Sequence, residues 1–454
     1  MVDLSYIQSI VGEDNFYTDK PHLLAYSYDA TQNKYLPDAV VYPRCEDDIS
    51  KILKFCNQNK IKVIPRGAGS GFSGGALSIN GGIILSLEKH FNKILEIDRV
   101  NLLARVGPGV LNKTLQNEVE KFDLFYPPDP GSEDFSTIGG NVCENAGGMR
   151  AIKYGTTKDY VLSLRAVLPN GNIIRAGKKT LKDVAGYNVA GILLASEGTL
   201  AVISEITLRL IPKPKFTKSG IVNFKSIEDA ISCACNILSS GIVPTAMEFL
   251  DDLTLKAMKN NRFIDSNARA CIIFKIDSNS NLEKEILNLQ RHFLDSKCIN
   301  FNATKSKEDE DSLWKLRRSA SQSMFFYGKK KLNEDITVPR SNLIFLLQKI
   351  KTLGAKYKLD IPCFGHVGDG NIHVNIMVKD PSNKHELSKA NQCVEEILKA
   401  TIDLEGTLSG EHGIGISKSA FMPLAFSKEE LDLFRSIKKA FDPNWILNPG
   451  KMGL

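Results

Sequence analysis

The stretch that decides the fold is "PRGAGSGFSGGAL", residues 65–77, in which five of the thirteen residues are glycine. Glycine permits positive φ and lets another group approach the bare backbone. Successive backbone N–H groups can then form a cradle for an anion, most often a phosphate. The stretch therefore predicts a phosphate-binding loop, and a tight turn without a ligand is the alternative for these residues alone.

Three of these glycines, Gly69, Gly71 and Gly74, also match the G-x-G-x-x-G pattern of dinucleotide-binding βαβ units. That unit needs a crossover of at least about 10–12 residues with a helix in it. Here the next strand-like run begins near Ile83, and the intervening "ALSINGG" is short and has no helical period. The residues before the loop, "IKVIP", are typical of a short strand. We therefore predict strand, glycine loop and strand, and reject a Rossmann unit.

Composition and charge exclude several classes of protein. The chain has 454 residues, enough for two or three domains, and a net charge of +6 with dispersed lysines, which disfavours nucleic acid binding. It lacks an apolar run of the roughly 18 residues that a transmembrane helix needs, and it begins without a signal-peptide pattern. None of the nine cysteines forms C-x-x-C, and Cys56, Cys271 and Cys363 have apolar neighbours. We expect reduced, buried thiols in the cytoplasm and no iron–sulfur cluster on this chain.

The order of apolar runs predicts the domains. Residues 39–212 contain short strand-like runs and helical pieces such as "EDDISKILKFCNQN" (46–59), and "PKPKF" (212–216) marks a boundary. Within residues 220–303 a strand–helix–strand pattern occurs twice, which predicts an α+β domain with a mostly antiparallel sheet and helices on one face. We expect domains at 1–212 and 213–419 and a C-terminal segment at 420–454.

Two further stretches share the small side chains of the glycine loop. Residues 126–148 contain "YPPDPGS" and "STIGGNVCENAGG", and residues 196–210 read "SEGTLAVISEITLRL". Three such loops predict a long, extended ligand along one domain. Together these motifs resemble the FAD-binding PCMH-type domain of the vanillyl-alcohol-oxidase superfamily. The resemblance is strongest to the branch of D-lactate dehydrogenases, D-2-hydroxyglutarate dehydrogenases and glycolate oxidase large flavoprotein subunits, and it runs from about residue 34 to the C-terminus.

This resemblance implies an α+β protein in which a two-part FAD-binding PCMH-type domain is joined to an α+β substrate domain. A short C-terminal segment then returns to the flavin. Some relatives attach the flavin through a histidine in the glycine loop, but Ser70 stands here, so we expect non-covalent FAD. The residues implied to bind the cofactor are Pro65, Arg66, Gly67, Ala68, Gly69, Ser70, Gly71, Gly74, Gly75, Pro128, Asp129, Pro130, Gly131, Ser132, Ser136, Thr137, Gly139, Gly140, Asn141, Asn145, Gly147, Gly148, Glu197, Gly198, Ile203 and Asn448.

A second group of chemically active side chains lies in "CFGHVGDGNIHVNIMV", residues 363–378. His373 and Asn375 alternate with apolar residues, and "GDGN" is a strong turn sequence. If residues 368–371 form a four-residue hairpin loop, His366 pairs with His373, with Cβ atoms about 4.5–5.5 Å apart. This pairing predicts two imidazoles that share a metal ion, and a histidine pair without metal is the alternative.

The loop "LSGEHGIGISKS", residues 408–419, supplies an acid and a third histidine. Glu411 completes a His₂Glu set with His366 and His373, which is a known open coordination sphere of catalytic zinc. The resemblance implies a divalent metal at these three positions, for which zinc is our first expectation, and it makes His412 the catalytic base.

The helical stretch "DSLWKLRRSASQSM", residues 311–324, carries two adjacent arginines. The resemblance implies that Arg317 is catalytic and grips the substrate carboxylate, for which a planar guanidinium fork is suited. Ser321 and Asn375 are further candidates for substrate contact. Arg318 stands where the family usually has an acid. The resemblance also implies a lysine after this helix, and the sequence does not assign it among Lys329, Lys330 and Lys331.

The activity implied by the resemblance is FAD-dependent, metal-assisted oxidation of a D-2-hydroxy acid, such as lactate or glycolate, to the 2-oxo acid. Hydride passes to flavin N5, and the electrons continue to another acceptor, for which an iron–sulfur or other subunit is the expected partner. A non-catalytic flavin subunit of a redox complex is the alternative, and a non-redox flavoenzyme of ether-lipid synthesis is a third. We expect no nucleic acid and no integral membrane segment, and a cytoplasmic chain that reaches a membrane only through a partner.

Overall fold

The structure is a computed structural model that describes residues 3–31, 33–258 and 261–454. The strands in these ranges are β1 (Phe16–Tyr17), β2 (Ala39–Val41), β3 (Val63–Arg66), β4 (Ile83–Ser86), β5 (Ile94–Asp98), β6 (Leu103–Val106), β7 (Leu124–Phe125), β8 (Val161–Val167), β9 (Ile173–Gly177), β10 (Val202–Arg209), β11 (Ile211–Pro212), β12 (Phe216–Phe224), β13 (Ala246–Asp251), β14 (Ala270–Ser278), β15 (Asn300–Ala303), β16 (Lys330–Thr337), β17 (Cys363–His366) and β18 (Asn371–Val378).

The α-helices in the same ranges are α1 (Ser5–Val11), α2 (Lys20–Ala25), α3 (Glu46–Asn59), α4 (Asn112–Glu120), α5 (Ile138–Glu144), α6 (Ala151–Tyr154), α7 (Val189–Leu193), α8 (Ile227–Ser239), α9 (Asp252–Ala257), α10 (Glu283–Asp295), α11 (Lys307–Ser323), α12 (Leu343–Tyr357), α13 (Lys384–Asp403), α14 (Met422–Ala425) and α15 (Lys428–Phe441). Among the described residues, no helix combines the length and the apolarity needed to cross a membrane.

The chain divides into two compact units. The first consists of Met1–Gly147, Thr156–Lys213 and Glu411–Leu454, and the second of Gly148–Gly155 and Pro214–Gly410. The C-terminal segment therefore belongs to the same unit as the glycine loop.

The glycine loop of the first unit connects two parallel strands. β3 and β4 are neighbours in a sheet of order β1-β2-β4-β3, and residues 67–82 join them without a helix. Gly82 has a φ of 101°, and a Cβ there would lie 2.5 Å from the carbonyl oxygen of Lys62, so only glycine fits where the chain enters β4. The predicted order of strand, glycine loop and strand is confirmed.

The core of the first unit includes one face of α3, which occupies the residues predicted for it. Ile49, Ile52 and Cys56 recur at helical spacing and are fully buried, and they share an apolar cluster with Val63 and Ile83. A second, antiparallel sheet in this unit has the order β5-β6-β10-β8-β9.

Residues 138–144 were expected to lie in a loop, but they form helix α5. The helix begins after Thr137, whose side chain accepts the N–H of Gly140 at 3.2 Å. Its two glycines weaken the helical signal in the sequence. Gly139 is required by packing, because a Cβ there would lie 2.5 Å from the Cβ of Pro108.

The second unit contains a seven-stranded sheet of order β15-β12-β14-β13-β17-β18-β16, and its adjacent strands are antiparallel. Helices cover both of its faces. Trp314 of α11 packs in one apolar cluster with Ile273, whereas Phe293 of α10 stacks on Phe274 with ring centroids 5.5 Å apart. Because Ile273 and Phe274 are successive residues of β14, they point to opposite faces. The expectation of helices on one face is therefore wrong.

Candidate active site

Asn448 links three of the stretches that the sequence identified, all within the first unit. Its Nδ2 donates to the carbonyl oxygens of Gly75 at 2.8 Å and Glu197 at 2.7 Å, and its N–H donates to Val63 at 2.9 Å. Asn448 is buried and has a φ of 41°, a region that asparagine tolerates better than most residues. One side chain thus joins the C-terminal segment, the glycine loop and the turn before β10.

Glu197 fixes the loop that follows His412. Its carboxylate accepts the N–H groups of Ile414 and Gly415, each at 2.7 Å. Burial raises the pKa of Glu197, and these two N–H groups oppose the rise. The ring centroid of His412 lies 5.0 Å from that of Phe72 in the glycine loop, so the loop that contains His412 packs against the glycine loop.

Buried oxygen atoms in this region favour a bound ligand. Ser73 Oγ, Ser136 Oγ and Asn448 Oδ1 are buried and have no hydrogen-bond partner among the described residues. A buried acceptor without a partner is costly, so each of these atoms is suited to a ligand donor or hydroxyl group. Gly67 approaches Thr137 so closely that a Cβ would lie 2.2 Å from the threonine Oγ1. These features fit a large polar cofactor such as FAD against the glycine loop and α5.

The side chain of Arg66 is already used within the protein. Its guanidinium donates to the carbonyl oxygens of Tyr28 at 2.8 Å, Ala76 at 3.2 Å and Tyr26 at 3.4 Å. Burial lowers the pKa of Arg66. The guanidinium therefore closes the glycine loop, and the carbonyl oxygen of Arg66 accepts the N–H of Leu87 at 3.0 Å.

Side-chain amides hold the remaining predicted cofactor loops. Asn112 and Gln116 of α4 donate to the carbonyl oxygen of Pro128 at 3.1 and 3.0 Å. Asn141 donates to Asn112 Oδ1 at 3.1 Å, and Asn145 accepts hydrogen bonds from residues 156 and 158. These amides fix the shape of the loop at residues 128–132 and of the segments on either side of α5.

The histidine hairpin of the second unit has a register different from the predicted one. His366 pairs with Asn371 instead of His373, so the loop is residues 367–370. Gly370 closes the loop with a φ of 84°, and Asn371 Nδ2 then donates to Asp335 Oδ1 on β16 at 2.6 Å. The predicted register of the hairpin is therefore wrong by two residues. Because side chains alternate along a strand with a period of two, His366 and His373 still share a face.

The rings of His366 and His373 lie together, with centroids 5.3 Å apart, and one nitrogen of each lies within 4.8 Å of the other. Each ring also faces a buried carboxylate. Glu248 Oε1 lies 2.7 Å from Nδ1 of His366, and Asp335 Oδ1 lies 3.8 Å from Nδ1 of His373. A carboxylate beside one ring nitrogen is the usual arrangement at histidine metal sites, where the other nitrogen binds the ion.

Asp335 also holds the chain just before Glu411. Its Oδ2 accepts the N–H of Gly410 at 2.9 Å and the hydroxyl of Ser409 at 3.1 Å. Gly410 is the last residue of the second unit, and Glu411 begins the next segment of the first. One fully buried carboxylate thus contacts the His373 side of the hairpin and orders the peptide that leads to Glu411.

Arg317 shares Glu248 with His366. Its Nε and Nη2 lie 2.7 and 2.6 Å from Glu248 Oε2, and its guanidinium carbon lies 5.0 Å from the ring centre of Phe364. Burial would raise the pKa of Glu248, but His366 and Arg317 outweigh it and hold the pKa below its usual value. Arg318 is exposed, so Arg317 is the arginine that meets the histidine face of the sheet.

The other two proposed substrate residues have different surroundings. Ser321 is exposed, and its Oγ accepts from Lys331 Nζ at 2.6 Å. Lys331 alternates onto the same face of β16 as Asp335, and burial lowers its pKa. Asn375 is fully buried; its Nδ2 donates to two backbone carbonyls at 3.1 Å, and its Oδ1 has no partner among the described residues.

Sequence reasoning missed Glu248 and Asp335. Glu248 interrupts the otherwise apolar run "AMEFL", and an acid inside a buried strand needs a partner, so a signal was present. Its partners, Arg317 and His366, lie 69 and 118 residues away in sequence. Only the assembled sheet shows which residues they are.

Comparison with known proteins agrees with this architecture. Residues 37–177 match the family model of an FAD binding domain, and residues 213–452 match that of the C-terminal domain of FAD linked oxidases. The chain is 40% identical over 447 residues to the glycolate oxidase subunit GlcD of Bacillus subtilis, which covers 98% of this chain and 95% of that protein. It is 33% identical over 435 residues to a D-lactate dehydrogenase of Anaerostipes hadrus, and this match covers 93% of the chain and 91% of that protein.

A solved structure of p-cresol methylhydroxylase with substrate bound has the same fold, with a TM-score of 0.81 at 18% identity over 99% of this chain and 96% of that one. The fold and the family matches together define an FAD-linked oxidoreductase with a PCMH-type FAD-binding domain, as the sequence motifs predicted. The chain belongs to the FAD-linked oxidase family that includes glycolate oxidase subunit GlcD and D-lactate dehydrogenases, and it acts on a CH–OH group.

Proposed function

We propose that the chain oxidises a 2-hydroxy acid, glycolate or the D-enantiomer of a larger acid such as lactate, to the 2-oxo acid with non-covalent FAD and one divalent metal ion. The observation that carries this proposal is the position of Glu248 in the second unit. Its two oxygens contact Arg317, a carboxylate-binding side chain, and His366, a metal-binding side chain. The names of the two relatives support substrates of this class.

Each proposed residue has a chemical role that its surroundings support. Arg317 binds the substrate carboxylate through the end of its guanidinium that Glu248 does not occupy. His366 and His373 hold the metal through Nε2, and Glu411, one peptide bond after the ordered Gly410, is the third ligand. The metal supplies Lewis-acid polarisation of the substrate hydroxyl when bound. His412, next to Glu411 in the chain, accepts the hydroxyl proton.

The first unit provides the redox site in this proposal. FAD supplies a hydride acceptor at N5 when bound. The glycine loop, the residues around α5, Glu197 and Asn448 hold it, and Ser70 offers no imidazole for a covalent link. We propose that the electrons leave through a separate acceptor subunit, since the Bacillus subtilis relative is itself named as a subunit.

Anaerobic mixing of the yellow protein with a panel of D- and L-2-hydroxy acids tests the proposal. We expect glycolate or a D-2-hydroxy acid to bleach the flavin absorbance, and the matching L-acid to leave it unchanged. A panel in which no 2-hydroxy acid bleaches the flavin would contradict the proposed activity.

A further inference from the structure

Glu248 is a buried acid to which the proposed reaction assigns no role of its own. Its side chain is 0% exposed, and its two oxygens face different partners. Oε1 lies 2.7 Å from Nδ1 of His366, and Oε2 lies 2.7 and 2.6 Å from Nε and Nη2 of Arg317. Glu248 also pairs directly with His366 across β13 and β17, so the contact rests on the sheet register as well as on rotamers.

We propose that Glu248 is a positioning residue that sets the metal-facing nitrogen of His366 and the substrate-facing end of Arg317 at the same time. This inference rests on the function proposed above. Since Oε1 accepts a hydrogen from Nδ1, His366 presents Nε2 without a hydrogen, as a metal ligand must. Since Oε2 occupies the Nε side of the guanidinium, Arg317 presents its Nη1 end to a carboxylate.

The two contacts cannot both survive loss of one acceptor oxygen. A glutamine at this position has one acceptor oxygen and one NH₂ donor. If the oxygen faces Arg317, the NH₂ faces His366 Nδ1 and moves the ring hydrogen to Nε2, which blocks metal binding. If the oxygen faces His366, the NH₂ faces the N–H groups of Arg317 and displaces them. Glu248 therefore couples metal binding to carboxylate binding through one side chain.

The surroundings make this role specific to Glu248. Asp335, another buried acid on the histidine face, lies by His373 and bonds to Asn371, Ser409 and Gly410. The partners of Asp335 are thus near the proposed metal ligands and do not include the proposed substrate-binding Arg317. Glu310 on α11 is also buried and paired, but with Lys275 at 3.0 Å and the hydroxyl of Ser219 at 3.0 Å. Glu310 offers a matched control for the loss of a buried charge in the same unit.

The test compares wild type, Glu248→Gln, Glu248→Asp and Glu310→Gln as full chains with FAD. Zn²⁺ affinity is measured by competition with a chromophoric chelator, without turnover. KM and kcat are then measured with the 2-hydroxy acid that best bleaches the wild-type flavin. FAD content and circular dichroism report folding.

We expect Glu248→Gln to weaken Zn²⁺ binding by about 10–100-fold, as loss of a carboxylate behind a metal ligand does. Its KM should rise by about tenfold or more, because a charge-assisted contact that aligns Arg317 is lost. Glu248→Asp keeps both acceptor oxygens but withdraws them by one methylene. The loss of Zn²⁺ affinity and the rise in KM should therefore both be smaller than in Glu248→Gln. Glu310→Gln should match wild type in Zn²⁺ affinity and in KM.

The inference is overturned if Glu248→Gln equals Glu310→Gln in both measurements. Should Glu248→Gln fail to fold, Glu248→Asp decides, and wild-type Zn²⁺ affinity and KM in that variant would overturn the inference. Failure of the wild type to bind Zn²⁺ or to oxidise a 2-hydroxy acid is read from the wild type alone, and then the proposed function and this inference fall together. A wild type that does both, with no effect of either Glu248 variant, removes only the role of Glu248.

Discussion

Arg317 and Arg318 are adjacent in the chain, yet their environments are opposite. Arg317 is buried against Phe364 and Glu248, whereas Arg318 is exposed on the outer side of α11. The helical period produces this difference, because successive residues lie about 100° apart around a helix. The resemblance favoured Arg317, but the helical pattern of the motif alone does not show which of the two arginines is buried.

This difference predicts the behaviour of two matched variants. Arg317→Lys keeps the charge but loses the planar fork, so KM for the 2-hydroxy acid should rise by about tenfold or more. Arg318→Lys makes the same chemical change on the exposed side and should leave KM within twofold, about the spread of surface substitutions. Steady-state kinetics on both variants provide the measurement, and a similar KM for the two would contradict the assignment of Arg317.

His412 offers a test of the proton step. It lies between Glu411 and Gly413 in a loop whose next residues, Ile414 and Gly415, are fixed by backbone hydrogen bonds to Glu197, so His412→Ala should keep the loop in place. We expect FAD and metal content to be unchanged. Flavin reduction should slow by about 10²–10⁴-fold, the usual effect of losing a positioned general base. Stopped-flow bleaching measures this step, and wild-type bleaching in the variant would exclude His412 as the base.

At the scale of elements, the hairpin β17–β18 shows what local pattern can and cannot specify. The alternation of "IHVNIMV" and the turn residues "GDGN" correctly predict two strands with both histidines on one face. They do not specify which glycine closes the loop, because Gly368 and Gly370 are both suitable. The register depends on Asn371, whose amide bonds to β16, and β16 is distant in sequence. Long-range contacts of this kind are absent from a local pattern.

The closing residue Gly370 can be tested against a second glycine of the same unit. Gly370 and Gly241 have φ of 84° and 89°, but a Cβ at Gly370 would lie 2.1 Å from the carbonyl oxygen of Val338, whereas nothing lies within 4 Å at Gly241. Gly241→Ala should cost about 1–2 kcal/mol, the left-handed backbone penalty alone. Gly370→Ala should cost more and should weaken metal binding, because β16 must move. Thermal unfolding and Zn²⁺ titration compare them, and equal stability would contradict the steric argument.

At the scale of the whole molecule, most residues proposed for FAD and two of the three proposed metal ligands lie in different units. Apart from Gly148, the residues proposed for FAD belong to the first unit, as does Glu411, whereas His366 and His373 belong to the second. The overall class was readable from the sequence, because three stretches with small side chains and two histidine motifs occur in a characteristic order. The roles of the buried acids Glu248 and Asp335 were not readable from the sequence, because they depend on strands that only the fold brings together.

This separation predicts that metal removal and FAD loss are independent. Treatment with a chelator should strip the metal and abolish bleaching by the 2-hydroxy acid, while the FAD absorbance of the protein remains, because none of the residues proposed to hold FAD is a proposed metal ligand. Addition of Zn²⁺ should restore bleaching. His366→Ala should behave like the chelated protein, and His385→Ala, at an exposed histidine of α13, should behave like wild type. Elemental analysis and absorbance spectra measure both quantities. Metal-free protein that bleaches at the wild-type rate would show that the two imidazoles are a structural pair, and the metal would then have no part in the reaction.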